Sequence, residues 1–115
     1  MKNKDVIPIE KAGTILVGEL QNIHTVSEWA EKMGYPSAPT FFRDFKRYAG
    51  LPPEKVLIQV RLVCIMKLIS YAPHLTGYEI ALESGLADEK ALYDFLARYK
   101  NTTLTELKRQ LLKKK

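Results

Sequence analysis

The sequence has a single cysteine, Cys64, among 115 residues. One thiol cannot close an internal disulfide, so the chain is no disulfide-framed secreted scaffold and fits a reducing compartment, the cytoplasm. Cys64 lies in an apolar stretch, where cysteine serves as a small buried hydrophobe. Long apolar runs are also missing. The longest, residues 62–69, is interrupted by Lys67, and a membrane span needs roughly 18 residues. Lys2 and Lys4 are followed by no apolar core, which argues against a secretory signal. Only two histidines occur, His24 and His74. Neither has Cys or carboxylate neighbours at metal-ligand spacing, so both read as surface or capping residues. Glycine-rich phosphate loops and nucleophile elbows are absent as well. These absences point away from an enzyme, a metal, a cofactor and a membrane.

What remains is ordinary globular material. The chain is 46% hydrophobic and 27% charged, which excludes disorder and leaves room for one compact domain or two fused small ones. Net charge is +5, unevenly spread. Residues 25–57 carry five Lys/Arg against four Asp/Glu, and residues 58–75 carry two against none. Residues 76–101 carry three against five, and residues 102–115 five against one. A basic protein of this size favours polyanions without choosing among DNA, RNA and anionic membranes.

The chain also repeats itself at an offset of 51. Thr25 matches Thr76, Glu28 matches Glu79, Ala30 matches Ala81, Gly34 matches Gly85, Arg47 matches Arg98 and Tyr48 matches Tyr99. Apolar positions coincide too: Trp29 with Ile80, Phe41 with Leu92, Phe45 with Leu96. Two copies of one unit suit a repetitive partner, and for a small basic protein that partner is the DNA duplex.

Seven helices and no strands are predicted, because no period-2 apolar alternation persists. A first helix is expected over 8–22, with Ile9, Ala12, Ile15, Leu16 and Leu20 on one face. Thr25-x-x-Glu28 and Thr76-x-x-Glu79 are capping boxes. Each opens a helix of about nine residues that stops at Gly34 or Gly85, where glycine takes the left-handed conformation cheaply. Ser37 and Asp88 then cap a second helix. Helix, glycine turn and helix make a helix-turn-helix. Small Ala30 and Ala81 permit close approach, while Phe41/Phe45 and Leu92/Leu96 face inward. Between the copies, Pro53 to Ala72 predicts a linker helix with an apolar face of Val56, Leu57, Val60, Val63, Cys64, Lys67 and Leu68. At 1.5 Å per residue it is a rod of about 30 Å, close to the roughly 34 Å turn of B-DNA. The organisation expected is 1–57 as first subdomain, 58–75 as linker helix (starting near 53), and 76–115 as second subdomain with a terminal helix.

These residues resemble the DNA-binding region of the AraC family of bacterial transcription regulators, two helix-turn-helix units joined by a long helix. The likeness covers about residues 25–109. In the first half it rests on Ala30, Gly34-Tyr35, Phe41-Phe42-Arg43-Asp44-Phe45-Lys46-Arg47 and Gly50-Leu51-Pro52-Pro53-Glu54. In the second it rests on Ile80-Ala81, Gly85, Leu92, Leu96 and Glu106-Leu107-Lys108. The second half departs from the family pattern at Leu86, Asp94, Leu96, Lys100-Asn101 and Leu104. Asp94 stands where the first copy has Arg43. Members of the family usually carry a further ligand-binding or dimerisation domain. Residues 1–24 are too few for one, which implies a stand-alone regulator governed by its amount or a partner; the chain also suits the DNA-binding end of a longer regulator.

The resemblance implies an all-α, homeodomain-like protein that reads double-stranded DNA. Arg43 occupies the family's contacting position and can bond guanine O6 and N7 together; as a surface residue it would instead pair with Asp44 or Glu28. Thr40 and Ser37 lie at the helix end that enters the groove, though Ser37 also serves as a cap. Phe42 either meets a thymine methyl or packs on the linker helix. Lys46, Arg47 and Arg98 are phosphate contacts or solvated charges. In the second copy Lys90, Ala91 and Tyr93 hold the outward positions, and Asp94 could accept from cytosine N4. Acidic neighbours make that copy a weak binder. RNA polymerase is an implied partner, and two units in one chain make a monomer sufficient. The rival reading is a protein-interaction module whose acidic second unit binds another regulator or the polymerase. A further rival, a non-specific nucleic-acid binder, predicts steep salt dependence without sequence preference.

Overall fold

The computed structural model describes residues 6–113. Among them are seven α-helices and no strand: α1 (Ala12–Gly18), α2 (Val26–Lys32), α3 (Ala38–Ala49), α4 (Pro53–Tyr71), α5 (Gly77–Glu83), α6 (Glu89–Tyr99) and α7 (Leu104–Leu112). The chain divides into two compact units, Met1–Leu57 and Ile58–Lys115.

In the first unit α2 and α3 form the helix-turn-helix. Thr25 accepts from the Glu28 N–H at 3.1 Å, and the Glu28 carboxylate accepts from the Thr25 N–H at 3.2 Å. This closes the predicted capping box and satisfies two of the donors that a helix start leaves open. α2 is shorter than expected and ends at Lys32. The turn follows, with Gly34 at φ 82°, in the left-handed region that suits glycine. Ser37 then accepts from the Thr40 N–H to start α3. Trp29, Phe41 and Phe45 are buried at the centre. The indole lies edge-on to Phe41 at 5.1 Å and to Phe45 at 5.0 Å, the arrangement aromatic quadrupoles favour. Its N–H donates to the Ala12 carbonyl at 3.1 Å, which ties α1 to α2.

The N-terminal helix differs from the expectation. The segment breaks into a 3-10 turn over Ile9–Lys11, α1 over Ala12–Gly18 and a second 3-10 turn over Leu20–Asn22. Exposed Gly18 and half-buried Glu19 sit at the break, Glu19 at φ −121° and ψ 19°. Glycine weakens a helix by about 1 kcal/mol relative to alanine, and the break still turns Ala12, Leu16, Leu20 and Ile23 inward.

The second unit repeats the design. Thr76 and Glu79 close the second capping box, Gly85 turns at φ 86°, and Asp88 accepts from the Ala91 N–H at 2.9 Å. The turn bonds correspond across the offset. Tyr35 N–H donates to Ala30 O at 3.0 Å, and Leu86 N–H donates to Ala81 O at 2.8 Å. The left-handed cap recurs as well: Gly50 closes α3 at φ 85° and Asn101 follows α6 at φ 53°. Asparagine is the non-glycine residue that tolerates this region best. The core gathers Ile65, Ile69, Ile80, Ala81, Leu92, Phe95, Leu96, Leu104 and Leu107. Ser84, buried among them, donates to Ile80 O at 2.8 Å.

Along α4 the buried positions are Pro53, Leu57, Arg61, Ile65 and Ile69, one stripe at four-residue spacing. Of the predicted face only Leu57 is buried; Lys67 and Val63 are exposed, Val63 at 47%, and the others are half-buried. This helix is apolar around much of its circumference, so periodicity alone selects no stripe. Cys64 is half-buried, with Sγ 4.0 Å from Glu83 O. Burial pushes its thiol above the ordinary value, which suits an inert side chain.

The second box makes the fold sensitive to acid. Hydrogen bonds from Thr76 hold the Glu79 carboxyl below its ordinary 4.5. A lowered folded-state pKa stabilises above the unfolded value and loses that contribution as pH falls through the folded one. Glu79→Gln should therefore flatten the loss of stability between about pH 5 and about pH 3. Urea melts of both proteins across that range check this; parallel pH profiles would remove Glu79 from the account.

Candidate nucleic-acid interface

On α3 the turns that bury Phe41 and Phe45 leave Arg43, Lys46 and Arg47 exposed on the other side. Ser37 and Thr40 stand together at its start, their hydroxyls 2.9 Å apart. Ser37 is thus a cap, as its sequence position implied, and Thr40 is half-buried beside it. Phe42 is half-buried as well. Arg43 keeps 63% of its side chain exposed, with Nε 3.7 Å from Asp44 Oδ1. Its neighbour is therefore Asp44, one of the two partners the sequence offered. Asp44 Oδ2 accepts from the Tyr35 hydroxyl at 3.1 Å. Burial and then this hydrogen bond raise the Tyr35 pKa above 10.0, so the phenol remains a donor at neutral pH. An open cleft of about 300 Å³ runs between the segment Val6–Ile9 and Tyr35, Asp44, Arg47 and Tyr48. The segment is anchored there by Ile7 N–H donating to Met33 O at 2.8 Å.

The matching face of α6 has different chemistry. Lys90 Nζ lies 3.0 Å from Asp94 Oδ2, a pair with side chains 83% and 68% exposed. Four residues apart on one helix face, such a pair adds only a few tenths of a kcal/mol, but it occupies both groups. The Tyr93 hydroxyl donates to Glu89 Oε2 at 2.7 Å. That carboxylate also packs over Gly77, where a Cβ would collide with it. Arg98 is exposed, its Cζ 5.5 Å from the Tyr99 ring centroid.

The predicted residues thus fall on α3 and its N-cap in the first unit and on α6 in the second. Sequence reading missed two groupings. The Tyr35–Asp44 bond joins separate elements across the turn, and no periodicity signals it. The Glu89–Tyr93 pair has a signal, the four-residue spacing together with a glycine at 77 where the first copy has Val26. Among the described residues no group of three His, Cys, Asp or Glu is placed to hold a metal ion. No helix among them is long and apolar enough to cross a membrane.

No protein-family model matches the chain, and no curated protein matches it. Solved structures do. One is the DNA-binding domain of AdpA, a global transcriptional factor, in complex with a target DNA. It is similar at 20% identity with a TM-score of 0.75, over 90% of this chain and 92% of that chain. Another is a transcriptional regulator from Chromobacterium violaceum, described among AraC-type DNA-binding domain-containing proteins. Here identity is 20% and the TM-score 0.71, over 93% of this chain and 94% of that chain. The resemblance carried by residues 25–109 is thus borne out in three dimensions: the chain has the all-α fold of AraC-type DNA-binding domains.

Proposed function

We propose that this chain binds double-stranded DNA sequence-specifically and acts as a transcriptional regulator of AraC type. It reads chiefly through α3. One observation carries the reading. The outward face of α3 exposes Arg43, Lys46 and Arg47 on a rigid, capped helix backed by a buried aromatic cluster. A helix of this kind fits the major groove, its first turns nearest the bases. Arg43 and Thr40 then read base edges, and Phe42 lies where a thymine methyl would pass. Lys46, Arg47 and, in the second unit, Arg98 hold phosphates. AdpA's DNA-binding domain, which shares the fold, was solved on its target DNA, and that supports the reading. RNA polymerase is the protein partner it implies, and a monomer carries both units.

Selection from a random duplex pool followed by sequencing tests the proposal. A specific binder enriches one motif. A single short half-site means that α3 alone reads, and two half-sites about one turn apart would mean that both units engage. No binding even at low salt would overturn it. Phosphate contacts have their own signature. Lys46→Ala and Arg47→Ala should each weaken binding to all sequences alike and reduce the slope of log K against log salt by about 0.9. Anisotropy titrations across a salt series measure that slope; an unchanged slope would remove the residue from the phosphate set.

A second reading is favoured by the second unit. There Asp94 stands exposed where α3 has Arg43, and Glu89 adds a second carboxylate in the first turn of α6. Phosphate would be repelled from it, and a basic protein surface would not. In that reading the second unit binds another regulator or the polymerase. An enriched motif that survives Asp94→Ala and Lys90→Ala unchanged agrees with a second unit that does not read DNA.

A further inference from the structure

Arg43 does not stand alone on α3. Successive helical residues point about 100° apart, so contact between positions 43 and 44 is not automatic. It occurs here because the arginine stem turns toward Asp44, with Nε 3.7 Å from Oδ1. Asp44 is held in turn through Oδ2, which accepts from Tyr35 at 3.1 Å. Tyr35 is held by the core. Its N–H donates to Ala30 O at 3.0 Å, and its ring lies edge-on to the fully buried Phe41 at 5.3 Å. A line of contacts therefore runs from the packed interior through a phenol and a carboxylate to the exposed guanidinium. Arginine has five donors in a planar fork. Facing Nε toward Asp44 leaves the two terminal nitrogens for a paired acceptor such as guanine O6 and N7.

The second copy supplies an independent observation. At the offset of 51, Tyr35, Arg43 and Asp44 are replaced by Leu86, Asp94 and Phe95. All three members are absent together, while the caps, the turn glycine and the inward apolar positions of that unit are kept. Phe95 is core, only 8% exposed. The capping and turn residues recur and the inward positions stay apolar in both copies, whereas the hydroxyl, the guanidinium and the carboxylate of this line are all lost.

We propose that Tyr35 and Asp44 are positioning residues for Arg43: they set the direction of its guanidinium and so sharpen discrimination at the base pair it reads. The inference rests on the DNA-binding reading above. In free protein the Arg43–Asp44 pair is solvated and weak. Docking on DNA expels water, lowers the local dielectric and strengthens it, and a guanidinium already oriented loses less freedom on binding.

The test measures Tyr35→Phe and Asp44→Asn on the selected duplex and its single-base variants, alone and in an Arg43→Ala background. Tyr35→Phe keeps the ring on Phe41 and removes only the hydroxyl. Asp44→Asn can still accept from Tyr35 but no longer attracts Arg43. Each should lose about threefold to tenfold in discrimination at the base pair that Arg43→Ala identifies, and at no other. In the Arg43→Ala background neither should cost anything more. Full discrimination in both variants overturns the proposal, as does a loss of equal size with and without Arg43. A motif that depends on Arg43 but survives both substitutions sinks the relay alone. A wild-type chain that selects no motif sinks the relay together with the DNA reading.

Discussion

Arg43→Ala should abolish discrimination at the one base pair that Arg43 reads and leave the protein folded. The size of the effect follows from the contact. One bidentate arginine–guanine pair is worth about 1–3 kcal/mol of discrimination, roughly fivefold to 150-fold. The variant should therefore bind the selected duplex little better than one altered at the contacted base. Residual affinity should come from Lys46, Arg47 and the basic residues elsewhere, and should fall steeply with salt. Stability should change by less than about 0.5 kcal/mol, because the side chain is 63% exposed and its one ion pair is solvated. Anisotropy on matched and altered duplexes, with a thermal melt beside it, reads both quantities. Unchanged discrimination would take Arg43 out of the reading surface and leave the contacts to Thr40 and Phe42.

Trp29→Ala has the largest expected effect on stability. The side chain is fully buried and touches both inward rings of α3. Removing a buried aromatic of this size costs about 3–5 kcal/mol. The substitution also leaves the Ala12 carbonyl without its indole donor, a further cost of about 1–3 kcal/mol if water does not replace it. Small domains have only about 5–15 kcal/mol in all. The first unit should lose most of its stability, and DNA binding through α3 with it. Val17→Ala is the control, since that side chain is 67% exposed and should shift the urea midpoint hardly at all. A Trp29→Ala midpoint close to wild type would mean that the aromatic cluster is not what holds α2 against α3.

Legibility in the sequence followed how local the cause was. The Thr25 and Thr76 boxes, the Ser37 and Asp88 caps and the glycine turns were readable because each is set within four or five residues. The inward face of α3 was readable from its four-residue spacing, and that of α6 in part: Leu92 and Leu96 were placed, but Phe95, also buried, was not. α4 offered several, since so many of its positions are apolar, and its buried stripe follows what packs on it. Residues 8–22 kept helical periodicity across a glycine break, so pattern alone could not show where the helix stops. At the interface the outward cations were legible from the helix register. The Tyr35–Asp44 bond was not, because it depends on how the turn folds back. In the second copy the replacement of Arg43 by Asp94 was visible, and so were the four-residue spacings of Lys90–Asp94 and Glu89–Tyr93, but the contact of the Glu89 carboxylate with Gly77 depends on how α6 packs against α5.

The lone tryptophan also divides the molecule spectroscopically. Trp29 lies in the first unit, and the matching place in the second is Ile80. Indole emission thus follows the solvation of one copy only, whereas far-UV dichroism sums the helices of both. If the two signals change together along a denaturant series, the copies unfold as one cooperative body. If they separate, each copy has its own free energy, and the difference between the two curves gives the stability of the copy that carries no tryptophan.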